Sequence, residues 1–294
     1  MAMTNPKGRA NYEPNSWGPV HGGPREDPKR GFTSFAATAD GPKARVRSET
    51  FADHYSQARL FFRSQTEIEQ AHLASAIVFE LSKVTIEAVR LRVLGNLRNV
   101  DETLAKRVAD GLAMDLPSKS KAAAEPQDMD PSPALRIVGK YPETLKGRSV
   151  GILIADGSDG AIIKAVKQAA EGEGATVKLV APKVGGVKLK DGSMLKADGQ
   201  LAGSPSVIFD AVAIVVSAEG CQQLLMESAA TDFASNAFIH LKAIGFTPEA
   251  KPLLDKANVV ADAGVVDLAK GADGFLVPAR TRQWAREAKV RILA

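Results

Sequence analysis

SVGILIADGSDG, running from Ser149 to Gly160, decides the fold. Ser149 to Ala155 is short and almost wholly apolar, as a strand covered on both faces is. Asp156-Gly157-Ser158-Asp159-Gly160 is turn chemistry. Beyond it Ile162, Ile163, Val166, Ala169 and Ala170 recur on one face of a helix that Asp159 is placed to cap. Gly172 and Gly174 close that helix, and Thr176 to Ala181 reads as the next strand. Parallel neighbours need such a crossover, so a strand–helix–strand unit predicts a parallel sheet. Further strands are expected at Ala211 to Val216, Leu241 to Phe246 and Asn258 to Ala261. Val187 to Leu195, with Asp191-Gly192 inside, reads as a hairpin on the sheet edge. The alternation over 147–294 predicts a doubly wound, flavodoxin-like α/β domain.

Upstream, the pattern changes three times. Residues 1–63 are rich in Gly, Pro, Asn, Asp and Arg without a sustained period, so an extended arm with no core of its own is expected. Residues 64–116 read as a helical domain. Ser64 and Glu67 have the spacing of a capping box. Leu73, Ile77, Leu81, Val84, Ala88 and Leu91 then form a helical stripe. Asn96 to Asp101 is expected to interrupt it, with Asp101 capping a further helix that carries Leu104, Val108 and Leu112. Leu116-Pro117 is expected to end that helix. Residues 117–146, dominated by Ser, Lys, Ala and Pro, read as a linker.

The chain has 294 residues, enough for one large or two ordinary domains. Hydrophobic residues make up 45 %, enough to build a core, and the formal charge of +4 is spread along the chain. Counterion-release binding needs clustered cations, so no nucleic-acid partner is expected. One cysteine, Cys221, leaves no internal disulfide and fits a reducing compartment. No apolar run has the length of a membrane span, and MAMTNPKGRANYEPNS lacks a signal-peptide core, so a cytoplasmic location is expected.

Several short strings resemble the large-subunit monofunctional haem catalases. Asn11 to Ser16 (NYEPNS) is similar to the segment that begins the wrapping arm in that family. Arg47-Ser48-Glu49-Thr50-Phe51, Tyr55, Arg59-Leu60-Phe61-Phe62, Ser64-Gln65-Thr66 and Phe79-Glu80-Leu81-Ser82-Lys83 continue the match in order. Lys146-Gly147-Arg148 resembles the start of the extra C-terminal domain of the large subunits. The resemblance implies an arm (1–63), a helical domain (64–116) and a flavodoxin-like domain (147–294) related to the glutamine-amidotransferase and intracellular-protease superfamily. It also implies homotetramers whose arms wrap neighbouring subunits.

For chemistry, the resemblance implies a haem whose distal His moves a proton between the peroxide oxygens and whose distal Asn holds the peroxide. A proximal Tyr, four residues after an Arg, ligates the iron as phenolate. In the family these lie upstream of the Asn11 to Ser16 match, so no catalytic, haem-binding or metal-ligating residue is carried onto this sequence. His21 and His54 fall in the arm, His72 in an amphipathic helix, and His240 before an apolar strand. Tyr12, Tyr55 and Tyr141 follow Gly8, Phe51 and Ile137 at the four-residue spacing, not an Arg. In the C-terminal domain, active members of its superfamily use a Cys on a strand-to-helix turn. The matching turn is read as Ala243 to Pro248, with Gly245 at the nucleophile position and Ile162 near the acidic one. Cys221, at a helix start, is weighed as a reactive thiol or a small buried hydrophobe, and the second is favoured. The Gly157-Ser158-Asp159-Gly160 turn lacks the spaced glycines of a dinucleotide fingerprint, and Asp156 and Asp159 repel phosphate.

Three readings follow. The chain is the C-terminal scaffold and assembly portion of a catalase, inactive alone and holding no cofactor of its own. On that reading Met1-Ala2-Met3-Thr4 is an internal stretch of a longer chain, and the partner is a catalase-type homo-oligomer. Alternatively it is half of a split catalase, completed by a separate haem-barrel chain. The third reading is a freestanding thiol hydrolase or chaperone. Without a barrel, the first reading predicts a folded C-terminal domain and early proteolysis within 1–63 and 117–146.

Overall fold

The computed structural model describes residues 36–38 and 40–294. The expectations placed on Asn11 to Ser16, Tyr12 and His21 lie outside the described residues. Residues 49–294 form one compact unit, separate from the residues before them.

Four helices open that unit: α1 (Ser56–Ser64), α2 (Glu67–Ser82), α3 (Glu87–Val100) and α4 (Glu102–Gly111). Two expectations are corrected. First, the coreless arm does not extend to residue 63, because α1 buries Phe62 against α2, α3 and α4. Second, the capping box is not Ser64 with Glu67 but Thr66 with Glu69. Thr66 Oγ1 accepts from the Glu69 amide, and Glu69 Oε2 accepts from the Thr66 amide at 2.9 Å. Ser64 ends the preceding helix, where its Oγ donates to Leu60 O at 2.6 Å.

The break in the stripe also moves, to Lys83–Ile86. Asn96 to Asn99 stay helical, with tertiary partners for one polar atom of each asparagine. Asn96 Oδ1 accepts from the Tyr55 hydroxyl at 3.2 Å, and the buried Asn99 amide donates to Ser120 O at 2.8 Å. Asp101 caps α4 as expected, accepting from the Thr103 amide at 2.8 Å. Leu81, Leu94, Leu104 and Val108 are buried between the helices, each worth about 1.5–3 kcal/mol over exposure.

Residues 117–146 carry little regular structure, but they are strapped to the helices. The Ser120 amide donates to Gly95 O at 3.0 Å, the Gln127 amide to Ser56 Oγ at 2.7 Å and the Ser132 amide to Ser64 Oγ at 2.8 Å. The Ile137 and Val138 amides both donate to Glu69 Oε1, at 2.6 and 3.0 Å. Composition alone read this stretch as a spacer because its bonds go to another element.

The α/β part comprises β1 (Ser149–Ile154), α5 (Gly160–Gly172), β2 (Thr176–Ala181), β3 (Val187–Lys188), β4 (Met194–Leu195), β5 (Gly199–Gln200), β6 (Ala211–Val215), α6 (Ala218–Leu224), α7 (Ser228–Ile239), β7 (Ile244–Phe246), α8 (Lys251–Lys256), β8 (Val265–Asp267), α9 (Asp273–Ala279) and α10 (Glu287–Val290). Six strands form one parallel sheet in the order β5-β2-β1-β6-β7-β8. α5 and α9 cover one face through Ile163, Val166 and Phe275, and α6, α7 and α8 cover the other through Leu224, Phe233 and Leu253. This is the flavodoxin-like, doubly wound arrangement.

The weaker strands are corrected. Leu241 stands in the left-handed region at φ 60°, so the strand begins only at Ile244. Asn258 to Ala261 is a turn and a connection, with Asn258 at φ 55°, and the edge strand is Val265–Asp267. The β3–β4 hairpin forms its own two-stranded sheet, away from the main edge.

The segment after α9 ties the two parts together. Arg286, with its side chain fully buried, grips Asp262 through Nε at 2.6 Å and Nη2 at 2.8 Å. Its Nη1 donates to Phe238 O and Lys242 O, and the guanidinium stacks 4.2 Å from the Phe238 ring centroid. Next to it, Glu287 Oε1 lies 3.0 Å from His72 Nε2 on α2, and the Ala294 amide donates to Ser75 Oγ at 2.8 Å.

Two outcomes are expected. Asp262→Ala leaves a buried guanidinium without its counter-charge and lowers unfolding free energy by about 3–5 kcal/mol, read as a shifted urea midpoint. Burial alone raises the Glu69 carboxyl, but hydrogen bonds from Thr66, Val138 and Ile137 outweigh it and hold the group below the ordinary glutamate value. A lowered carboxyl contributes stability above its unfolded value and loses it as the pH falls through the folded one. The Ile137 and Val138 amide resonances are therefore expected to move together in that acidic window, and to stay still in Glu69→Gln.

Candidate functional site

In open α/β sheets, ligands bind beyond the carboxyl ends of the strands, where strand order reverses. Here the chain leaves β1 for β2 on one side and returns to β6 on the other. A crevice of about 650 Å³ opens at that point, between the β1–α5 turn, the β6–α6 turn and the residues after β7.

Two hydroxyls, Ser217 and Thr247, line it, and a third, Ser158, is buried beside them in the β1–α5 turn. Ser158, fully buried, accepts from the Ala155 amide at 3.0 Å and lies 2.7 Å from Val215 O, bridging β1 to β6. Ser217 Oγ donates to Asp156 O at 2.9 Å and accepts from the Gly220 amide at 3.0 Å, which caps α6. Thr247 Oγ1 accepts from the Val216 amide and donates to Val216 O, at 3.2 and 3.0 Å. All three are committed to the backbone, so none is set as a nucleophile. Gly157, at φ 78°, allows this closeness, because a Cβ there would stand 2.6 Å from Ser217 Oγ.

The turn amides are also taken. Gly157 N–H donates to Lys188 O at 2.7 Å, and the Ala161 and Ile162 amides point at Asp159 Oδ1. Those amides are therefore not free to cradle a phosphate at the β1–α5 turn. Asp156 receives the Lys188 amide at 2.8 Å, which pins the β3–β4 hairpin over the crevice mouth. Glu219, Glu249, Lys188 and Lys190 complete the rim as exposed side chains. Sequence reasoning found Asp156 and Asp159 but missed these four, since only the hairpin's folding back brings the lysines there.

The other candidates stand elsewhere. Gly245 is not on a turn: it pairs inside β7 with Ala213 and Val266, and a Cβ would meet Leu268 at 2.9 Å. Ile162 lines the crevice but brings no acid. Cys221 is 1 % exposed among Leu224, Phe233 and Leu253, and burial pushes its thiol up from the ordinary value. His240 caps the end of α7, and burial together with Lys242, Arg291 and Arg282 pulls it down. His72 is engaged by Glu287, and His54 packs edge-on to Tyr55. Tyr141 is exposed on the connecting segment. Among the described residues, no group of three or more His, Cys, Asp or Glu is gathered as metal ligands. No helix among them is long and apolar enough to cross a membrane.

The family comparisons divide where the pattern changes. Residues 48–112 match the family model described as catalase-related immune-responsive, and residues 146–277 match the C-terminal domain found in long catalases. The chain is similar along nearly its whole length to the C-terminal part of large catalases. Catalase C of Rhizobium meliloti is 47 % identical over 299 residues, covering 99 % of this chain and 42 % of that protein. Catalase HPII of Pseudomonas aeruginosa is 36 % identical, covering 98 % of this chain and 41 % of that protein. Catalase-2 of Bacillus subtilis is 33 % identical over 87 % of this chain and 36 % of its own length. The chain thus spans less than half the length of these catalase relatives.

The buried thiol gives a direct test. Cys221 is expected to react with a thiol reagent in the native protein only as fast as the α/β part opens, and at full speed in denaturant. A fast native reaction, followed by absorbance, contradicts the packing described.

Proposed function

We propose that these residues serve as the scaffold and assembly portion of a large catalase, a family whose reaction decomposes hydrogen peroxide. One observation carries the reading: the crevice where this fold performs chemistry has both of its lining hydroxyls, Ser217 and Thr247, bound to backbone, with the only thiol buried in the core outside it. Catalytic turnover needs a free nucleophile or an acid–base pair within reach of one another. Glu219, Glu249, Lys188 and Lys190 stand exposed at the rim, and Asp156 and Asp159 accept from backbone amides.

Haem, the group the family implies, does not fit the described residues. The Tyr55 hydroxyl is engaged by Asn96, the Tyr141 ring is exposed, and neither follows an Arg at four residues. No step through iron is derived from them. What these residues offer is shape. Phe61 and Phe79 on the helices and Ile86 in the break before α3 stand 42 %, 62 % and 62 % exposed, large apolar groups suited to lie against another folded part. Assembly in a catalase-type oligomer follows from the same reading.

The test is reconstitution. The chain alone is expected to show no Soret band and to release no oxygen from peroxide. Co-expressed with the remaining N-terminal part of a related catalase, it is expected to co-purify and to raise the amount of assembled oligomer. Oxygen release by the chain alone overturns the proposal. So does assembly of the N-terminal part that is equally complete without it. If the N-terminal part assembles alone yet gains activity only on adding this chain, the split-enzyme reading replaces the scaffold one.

A further inference from the structure

A second cleft lies at the opposite end of the sheet, at the amino ends of β1 and β6. It encloses about 590 Å³ between the connecting segment at Tyr141–Glu143, the start of β1 at Arg148 and the residues after α9. That volume is in the range of small-molecule sites. Nothing in the scaffold reading uses it.

Its charges are arranged unusually. Three arginines line it, Arg148, Arg280 and Arg282. Arg280 is neutralised by a bidentate pair with Glu173, at 2.6 and 2.8 Å. Arg282 donates to Asp210 O at 2.7 Å and makes a looser 3.4 Å contact with Asp210 Oδ1. Asp210 is itself drawn away, because its Oδ2 receives the Ser149 amide at 2.9 Å. Arg148 donates Nη1 to Arg280 O at 2.6 Å, and no carboxylate of a described residue is in ion-pair range of it. Glu143, the other carboxylate lining the cleft, is exposed at the rim and its charge acts on Arg280.

The electrostatics agree with the geometry. Burial pulls the Arg282 guanidinium below its ordinary value; Asp210 opposes this, and the charge of Arg148 adds to it. Behind the cleft, burial and the charge of Arg282 pull Lys242 down to about 8. Lys242 Nζ is spent on Ser206 O and Phe209 O, so it adds positive potential without reaching the cavity. Two guanidinium groups lining one cleft, Arg148 without a carboxylate partner among the described residues and Arg282 only loosely paired with Asp210, match an incoming oxyanion, which accepts charge-assisted N–H bonds from both. The walls beside them are flat and partly apolar. Tyr141 is 71 % exposed, and Trp284, half-buried, lines the same cavity. Aromatic faces of this kind hold a planar body while a polar head is fixed.

We propose that this cleft binds a small molecule with an oxyanion head, phosphate or carboxylate, on a flat apolar body. Arg148 and Arg282 take the head, and Tyr141 and Trp284 flank the body.

Trp284 supplies the readout. The chain has two tryptophans, so the full chain carrying Trp17→Phe reports Trp284 alone. Phenyl phosphate, benzoate and inorganic phosphate are titrated in turn. Saturable fluorescence change is expected with phenyl phosphate or benzoate, and the tighter of the two identifies the head. Arg148→Gln is expected to weaken that binding by about tenfold, the loss of one charge-assisted fork. Tyr141→Ala is expected to weaken the aromatic probe several-fold while leaving inorganic phosphate unchanged. If Arg148→Gln shifts the unfolding midpoint, Arg148→Lys keeps the charge and removes only the fork, and a loss of affinity is again expected. The proposal fails if neither aromatic probe saturates by about 10 mM, the weakest affinity a specific site would show. It fails equally if the Arg148 variants bind unchanged, or if inorganic phosphate binds as tightly as phenyl phosphate.

Discussion

A guanidinium with no access to water holds residues 49–294 together. An unpaired charge at the depth of Arg286 costs several kcal/mol, so its donors must find acceptors before the surrounding chain can close. They find Asp262 twice and the carbonyls of Phe238 and Lys242, which fixes the end of α7, the start of β7 and the approach to β8 relative to one another. Gly264 makes room for it, since a Cβ there would stand 2.8 Å from Arg286 Nη2. With Arg286 seated, the next residue, Glu287, is presented to His72, and the chain end reaches Ser75. The docking of the α/β part against the helices therefore rests on a polar knot at the sheet's flank.

The two ends of the sheet have been put to different uses. At the carboxyl end, Ser158, Ser217 and Thr247 rivet β1, β6 and the residue after β7 to each other. Hydroxyls bonded at both donor and acceptor are rigid and unreactive, so the crevice keeps its shape while offering little chemistry. At the amino end, three arginines line one cleft, and of these Arg148 has no carboxylate partner among the described residues while Arg282 is only loosely paired with Asp210. The first arrangement suits a structural domain. The second leaves hydrogen-bonding capacity facing a cavity. Both belong to a chain whose similarity runs through the C-terminal part of the large catalases.

How far residues announced these features depended on the range of the interaction. Asp101 and Asp159 were legible as caps because an N-cap acts within three residues. β1 and β6 were legible because strands covered on both faces are apolar almost throughout, and β2 because Val177, Leu179, Val180 and Ala181 give it a buried apolar end. The capping box at Thr66 was misplaced by two residues, since Ser64-Glu67 and Thr66-Glu69 have the same spacing and only the end of α1 separates them. Asn96 and Asn99 read as a break because nothing nearby bonds them; Tyr55 reaches the Asn96 oxygen and Ser120 the Asn99 amide from afar.

The sequence by itself determined the parallel α/β domain, the helical region before it and the likeness to the C-terminal part of large catalases, because periodicity, caps and short ordered strings are properties of neighbouring residues. Only the tertiary structure decided that the linker is strapped down, that Gly245 lies inside a strand, that the hairpin covers the crevice and that Arg148 meets Arg282. Each of those facts joins residues tens of positions apart. Their meeting is set by how layers pack and by which buried polar groups must find partners, and no local pattern records it.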